Sequence, residues 1–315
     1  MIIKIKKRSL ILLLLVLTSL PLVYAAASVV KANFKVELVI GNRNPAILLI
    51  NATGFAVDPV TGSTSSIIVV FNATDADNVN QINGTSGGSV IVNLTLGTPG
   101  FSQFRTQNSC TNTTLGSGAT GVVTFTCTVL MQYYDNNSAN WVINLSLADA
   151  NSGVGRNDSK GSTPNIFTYN ILSALSLPYP ALNFSSVNLG QNNVLAYPHL
   201  LINNTGNDDF TRVNMSAAAL VGTTTTTETI AVTQFGVNTT NSTTNPLDFP
   251  ASGVVSLTDA TTGTFTKLTH GHTSAFAPNA DKGNISAFVY VNVPSSGLSS
   301  QLYNATWNVT ATSTP

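Results

Sequence analysis

Asp75-Ala-Asp77-Asn78-Val79-Asn80 puts four oxygen-bearing side chains within six residues. Oxygens clustered on a turn suit Ca2+, which takes about six to eight such ligands. Asp149 and Asn151 join the set if the strand ends that carry them meet at one pole of a sheet. The run is not an EF-hand loop, because its sixth position is Asn80 rather than Gly and no Glu stands at the twelfth. The competing reading is an Asx-rich turn with solvated carboxylates. Asp75, Asp77, Asn80 and Asp149 are the Ca2+ candidates, and no other cofactor is expected.

Two further groupings carry less chemistry. His270-Gly271-His272 sets two imidazoles on one side of an extended segment, a start toward a Zn2+ or Cu2+ site. No third ligand is identifiable, so a polar loop is the simpler reading. Asp208-Asp209 is an adjacent carboxylate pair, but neighbours on a strand point apart, which favours a solvated turn. Only two Glu occur (Glu37, Glu228), and there is no G-x-S-x-G elbow. Glycoside hydrolysis needs two carboxylates across a cleft. No enzyme is expected.

Cys110 and Cys127 are the only cysteines. In an exported chain they are expected to form a disulfide, a staple worth roughly 3 kcal/mol in the loop-entropy model. Two free thiols are the alternative. N-x-S/T sequons are the most abundant local signal: Asn51, Asn72, Asn83, Asn93, Asn112, Asn136, Asn144, Asn157, Asn183, Asn203, Asn214, Asn238, Asn241, Asn284, Asn304 and Asn308. The chain has 35 Asn, and its Ser/Thr content gives about eight sequons by chance, half the number present. Many fall on polar strand registers, where an acceptor must sit to reach solvent. The Thr-rich stretches Thr223–Thr227 and Asn238–Asn245 read as exposed.

The N-terminus opens with Lys4, Lys6, Lys7 and Arg8, continues through apolar Leu10–Leu20, and reaches a small-x-small pattern at Val23-Tyr24-Ala25. This is the form of a secretory signal over residues 1–25. The uncharged run Ser9–Val30 is also long enough to stay as an uncleaved anchor, which would be the only contact with a membrane. Either way the body lies outside the cell. Without residues 1–25, nine basic residues face thirteen acidic ones, a balance of −4. No basic stripe exists, so nucleic acid is excluded as a partner.

Only 8% of residues are charged, while Val, Ile, Thr, Asn, Ser and Gly abound, which favours strands and turns over helices. The expected fold is all-β, with two tandem immunoglobulin-like β-sandwiches at residues 26–177 and 178–315, divided at Pro178-Tyr179-Pro180. Strands are expected over Phe34–Ile40, Ala46–Asn51, Ser66–Ala73, Ser89–Leu96, Gly121–Tyr133, Asn140–Ala148 and Ile166–Leu175 in the first half. The second half offers Ala181–Phe184, Leu200–Asn203, Phe210–Ala217, Glu228–Phe235, Gly253–Leu257, Thr264–Leu268, Asn284–Asn292 and Tyr303–Thr312. Each half is organised around one Trp strand. Trp141, Ile143, Leu145 and Leu147 share a register, as do Trp307, Val309 and Ala311.

Trp141-Val-Ile-Asn-Leu-Ser-Leu-Ala-Asp149-Ala-Asn-Ser-Gly153 resembles the closing strand of PKD-like and cadherin-like immunoglobulin-type modules. Phe71-Asn-Ala-Thr-Asp75-Ala-Asp77 is similar to an earlier strand of the same modules, and Leu200–Asp209 has a similar style. The WDFGDG-like segment of PKD modules is absent. The combination resembles cell-surface modules of archaea. It implies a glycosylated structural or adhesive protein at the cell surface: an envelope or surface-layer component, or a filament subunit. Its expected partners are other copies of itself or other envelope proteins.

A carbohydrate- or ligand-binding extracellular module is the alternative, but alternation buries Tyr133 and Trp141 and leaves only Tyr134 facing out. If the two halves share a plan, the second lacks a strand after its Trp strand and keeps an open edge. Phe34–Ile40 of another copy is a candidate to fill it. Pairing of that segment inside its own first domain is the competing expectation.

Overall fold

The computed structural model describes residues 35–50, 55–82, 89–97, 103–157, 165–243, 246–258, 266–270 and 283–313. The expected signal at 1–25, the sequons Asn51 and Asn83, and His272 lie outside the described residues. Residues 1–41 and 42–315 are separate units. Among the described residues there are strands and short 3-10 turns but no α-helix, and no helix is long and apolar enough to cross a membrane.

In the first unit, Lys35–Gly41 is not a strand. Period-two alternation makes a segment ready to pair, but a strand exists only once its backbone groups find a partner.

The second unit begins with ten strands: β1 (Ala46–Ile50), β2 (Ala56–Val57), β3 (Thr64–Thr74), β4 (Ser89–Leu96), β5 (Gln103–Gln107), β6 (Thr111–Leu115), β7 (Val122–Gln132), β8 (Ser138–Ala148), β9 (Val154–Asn157) and β10 (Ile166–Tyr169). One sheet runs β1-β3-β7-β6 and the other β2-β10-β8-β4-β5, with β9 beside β8. All pairs are antiparallel except β10 with β2. The inward registers of the two sheets interdigitate. Ile67, Val69 and Phe71 of β3 join Val123, Phe125 and Val129 of β7, facing Val92 and Leu94 of β4 and Trp141, Ile143 and Leu147 of β8. Phe71 stacks on Phe125 at 5.0 Å between centroids, and Trp141 on Phe167 at 6.2 Å. Cys110 and Cys127 are joined, tying the start of edge strand β6 to the core strand β7.

A second apolar cluster is built by β11 (Leu175–Ser176), β12 (Val194–Leu195), β13 (Leu200–Asn204), β14 (Phe210–Ser216), β15 (Leu220–Gly222), β16 (Thr229–Ile230), β17 (Phe235–Asn238), β18 (Leu247–Asp248), β19 (Val254–Ser256), β20 (Asn284–Val291), β21 (Tyr303–Asn304) and β22 (Asn308–Ser313). They form three sheets: β11-β13-β20-β17-β18 with β12 beside β20, then β19-β14-β22, and β16-β15-β21.

Several expected strands differ. Ile166–Leu175 stops at Tyr169, because Leu172 N–H is taken by the Asn207 side chain and Leu175 pairs with Asn204 in the second set of sheets. Leu175 and Leu177 accordingly pack against the second cluster, ahead of Pro178. Ala181–Phe184 contributes only an isolated bridge, Asn183 to Tyr197. Tyr303–Thr312 is two strands, β21 on β15 and β22 on β14, with Trp307 between them. Its indole N–H donates to Ala218 O at 2.8 Å, so its ring is turned onto Phe235 and Phe249 and is only half-buried.

Candidate functional site

The acidic pole forms where three stretches of chain meet. After β3, Asp75 Oδ1 accepts from Asp77 N–H (2.9 Å) and Asn78 Oδ1 from Asn80 N–H (3.0 Å), two successive Asx turns. After β8, Asp149 Oδ1 takes the N–H groups of Asn151 and Gly153, both at 2.8 Å. The two loops touch: Ala150 N–H donates to Gln81 O at 3.0 Å, and Asn151 Nδ2 to Gln81 Oε1 at 3.0 Å. Asn42 and Arg43 close the third side. Asn42 Nδ2 donates to Asp149 Oδ2 at 2.9 Å, and Arg43 N–H to Asp77 Oδ2 at 2.5 Å. Gly153 is required here, since a Cβ would stand against Asp149 Oδ2 and Asn42 Nδ2.

The structure therefore brings Asp75, Asp77 and Asp149 to one pole, while Asn80 is solvent-exposed. Most carboxylate oxygens already accept N–H donors. Among the described residues no three His, Cys, Asp or Glu side chains form a metal cage. One atom stands apart: Asp75 is 0% exposed, and its Oδ2 has no hydrogen-bond partner.

A second polar centre, not foreseen from the sequence, lies where the two apolar clusters adjoin. Asp135 is 0% exposed and is forked by Arg105, whose Nε donates to Oδ2 at 3.0 Å and whose Nη2 donates to Oδ1. Gln132 N–H adds a bond to Oδ2 at 2.7 Å. Burial pushes the Asp135 carboxyl up from its ordinary range, against the pull of Arg105. Asp135 O accepts from Asn207 Nδ2 at 3.0 Å, and that amide also donates to Asn170 O. The neighbouring Asn136 is held at three points. Its N–H donates to Gln103 Oε1, its O accepts the Trp141 indole N–H at 2.8 Å, and its Oδ1 lies 2.8 Å from His270 Nε2. His270 Nδ1 reaches Asp209 Oδ1 at 2.7 Å.

His270 is thus a clasp between the two clusters rather than a free polar loop. Asp208 is buried and accepts from Ser173 Oγ at 2.5 Å, whereas Asp209 is exposed. The adjacent acids point apart as expected, but one turns inward. The only local signal was the scarcity of charge. In a chain with so few charged groups, an Arg inside a strand already asks for a buried partner.

The aromatic group splits as well. Trp141 is 0% exposed, while Tyr133 and Tyr134 are half-buried, with the Arg105 guanidinium 5.8 Å from the centre of the Tyr134 ring.

Glu228 forms a third constellation. Its Oε2 accepts from Tyr303 Oη (2.5 Å), Ser299 N–H (2.7 Å), Ser299 Oγ (2.8 Å) and Gln301 Nε2 (2.8 Å). Gln301 Oε1 in turn takes the N–H groups of Thr224 and Thr225, fixing the Thr-rich turn. The Tyr303 hydroxyl and then the Ser299 donors pull the Glu228 carboxyl down to about 2. A carboxylate with a depressed pKa contributes stability above its unfolded value, lost as pH falls through the folded one. This turn should therefore stay anchored from neutral pH down to about pH 2. Carboxyl-detected NMR checks it, since Glu37 is the only other Glu. Tyr303→Phe should move the Glu228 titration toward the ordinary glutamate range; an unchanged midpoint would refute the assignment.

The sequons divide by environment. Asn183, Asn241, Asn304 and Asn308 are exposed. Asn144 and Asn214 are half-buried and tied to Thr95 and Ser256. Asn238 is 3% exposed, with its Nδ2 donating to Ser242 O, so a glycan there could be added only before folding.

No protein-family model matches the chain, and no curated protein matches it. Among solved structures, one similar chain is described as the secreted serine protease VesC from Vibrio cholerae. It has 9% identity and a TM-score of 0.18, over 85% of this chain and 51% of that one. This chain thus spans about half the length of that protein. A superposition of that quality transfers neither fold nor activity.

Proposed function

We propose that this chain is a secreted or cell-surface glycoprotein with a structural or adhesive role. In this reading it is an envelope or surface-layer component or a filament subunit, made of two tandem immunoglobulin-like β-sandwiches. The observation that carries the reading is the closed Cys110–Cys127 bond inside an all-β body, since such bonds persist in oxidising compartments outside the cytosol. Sequons at exposed positions in the second half (Asn183, Asn241, Asn304, Asn308) add support. The role is structural rather than catalytic, and the partners are other copies or other envelope proteins. Immuno-electron microscopy with antibody to the native protein, together with intact mass before and after deglycosylation, tests this. Gold label on the envelope or on filaments, with mass lost on deglycosylation, is expected. A cytosolic, unglycosylated protein would overturn it.

The acidic pole adds a weak Ca2+ site to this reading. Leaving a carboxylate oxygen buried without a partner is costly, and a cation at Asp75 would satisfy it. Asp77 and Asp149 lie on the loops around it, with the exposed Asn80 at the rim. A ligand that binds only the folded state raises its stability. Millimolar Ca2+ should therefore raise the melting temperature of the wild-type protein and leave Asp75→Asn unmoved. An equal rise in both, or none in either, removes the site.

A further inference from the structure

The exposed segment Lys35–Ile40 and the free edge of β22 complement each other. In the segment, Val36, Leu38, Val39 and Ile40 are 77%, 83%, 91% and 81% exposed. Four large apolar side chains at that exposure within five residues are rare on a protein surface unless something covers them. Lys35 and Glu37 form an ion pair, the geometry of i and i+2 neighbours on one side of an extended chain. Val36, Leu38 and Ile40 therefore share the other side. The segment is thus already sorted into a polar and an apolar register, lacking only a sheet.

β22 is the acceptor that fits. It pairs with β14 on one side and, among the described residues, lies at the end of its sheet on the other. Its inward residues Val309 and Ala311 pack against the second apolar cluster yet remain half-buried. Their partners across the ladder, Met215 and Val213, are fully buried. The core is thus covered up to β14 and thins out at β22. Four other edges do not offer this. β6 presents Asn112 and Thr114 on its inward register, β1 carries a register break between Ile47 and Leu49, and β2 and β18 are two residues long. β22 has six residues, as does Lys35–Ile40.

We propose that Lys35–Ile40 of one copy adds as a strand to β22 of another copy, with Val36, Leu38 and Ile40 on the inward register beside Val309 and Ala311. Backbone hydrogen bonds supply affinity, and the apolar register fixes which face turns inward. The contact is heterologous, donor to acceptor, so repetition without closure yields an open chain of subunits. This deepens the structural role proposed above and rests on it.

The test mixes two full-length preparations, each with one added cysteine on an outward position. One carries Glu37→Cys. The others carry Asn308→Cys, Thr310→Cys or Thr312→Cys, with Thr113→Cys on β6 as the control edge. Disulfide-linked dimers should form between Glu37→Cys and at least one β22 variant and not with Thr113→Cys. Light scattering should show assemblies that Leu38→Asp abolishes while the circular dichroism of the body is retained. A monodisperse monomer at high concentration, equal cross-linking to the control edge, or assembly that survives Leu38→Asp would each overturn the proposal. Surface localisation with a monomeric protein would sink strand addition and leave the structural role standing, so the two failures are separable.

Discussion

Trp141→Ala should lower stability by about 3–5 kcal/mol, read as a shift of the urea midpoint, because the indole is wholly buried between the two sheets. The loss has two parts. A cavity opens beside Phe167, and Asn136 O loses the indole N–H that holds it. The second part spreads, because the same Asn136 contacts His270 of the second set of strands. The clusters also share Asn207 with Asp135 O, and Gly62 N–H with Thr205 O. The variant should therefore unfold in one transition rather than lose the first cluster alone. Trp307→Ala should cost less, since that ring is only half-buried. A Trp141→Ala loss below about 1 kcal/mol, or a second cluster melting unchanged, would contradict this account.

Arg105→Ala should cost a similar amount, about 3–5 kcal/mol, because it leaves the fully buried Asp135 carboxylate without its cation. Removing both charges should be far milder. Arg105→Met combined with Asp135→Asn keeps an acceptor for Gln132 N–H and should recover most of the loss. The pH dependence has a definite sign. Burial raises the Asp135 pKa, so the folded state holds that proton more tightly than the unfolded one. Stability then falls as pH rises from the unfolded to the folded value and is flat above it. In Arg105→Ala the deficit should be largest at neutral pH and shrink on acidification. Denaturant midpoints at several pH values decide this, and a deficit independent of pH would refute it.

What the sequence revealed follows from how each signal arises. Alternation exposed the central strands cleanly: Ser89–Leu96 is as expected, and β8 begins two residues earlier than Asn140. Such strands have one face in the core, and the side-chain period records it. The edge strands β5 and β6 were missed because QFRTQ and TNTTL are largely polar on both registers. Lys35–Ile40 shows the converse, since alternation reports a face and not a partner. The acidic pole was legible because Asx turns are written within a few residues. The Arg105–Asp135 fork and the His270 clasp were not. Their members lie 30, 61 and 134 positions apart, and only the tertiary fold brings them together.

The way this body uses its charges has a physical consequence outside the fold. Arg105 and Asp135 neutralise each other, and Asp75, Asp149 and Asp208 are turned inward. Among the described residues, what remains facing solvent is amide, hydroxyl and apolar groups with a handful of separated ions. Such a surface projects almost no long-range field, so there is little for mobile ions to screen at any Debye length. The electrostatic share of any contact this protein makes should therefore change little from dilute medium to brine.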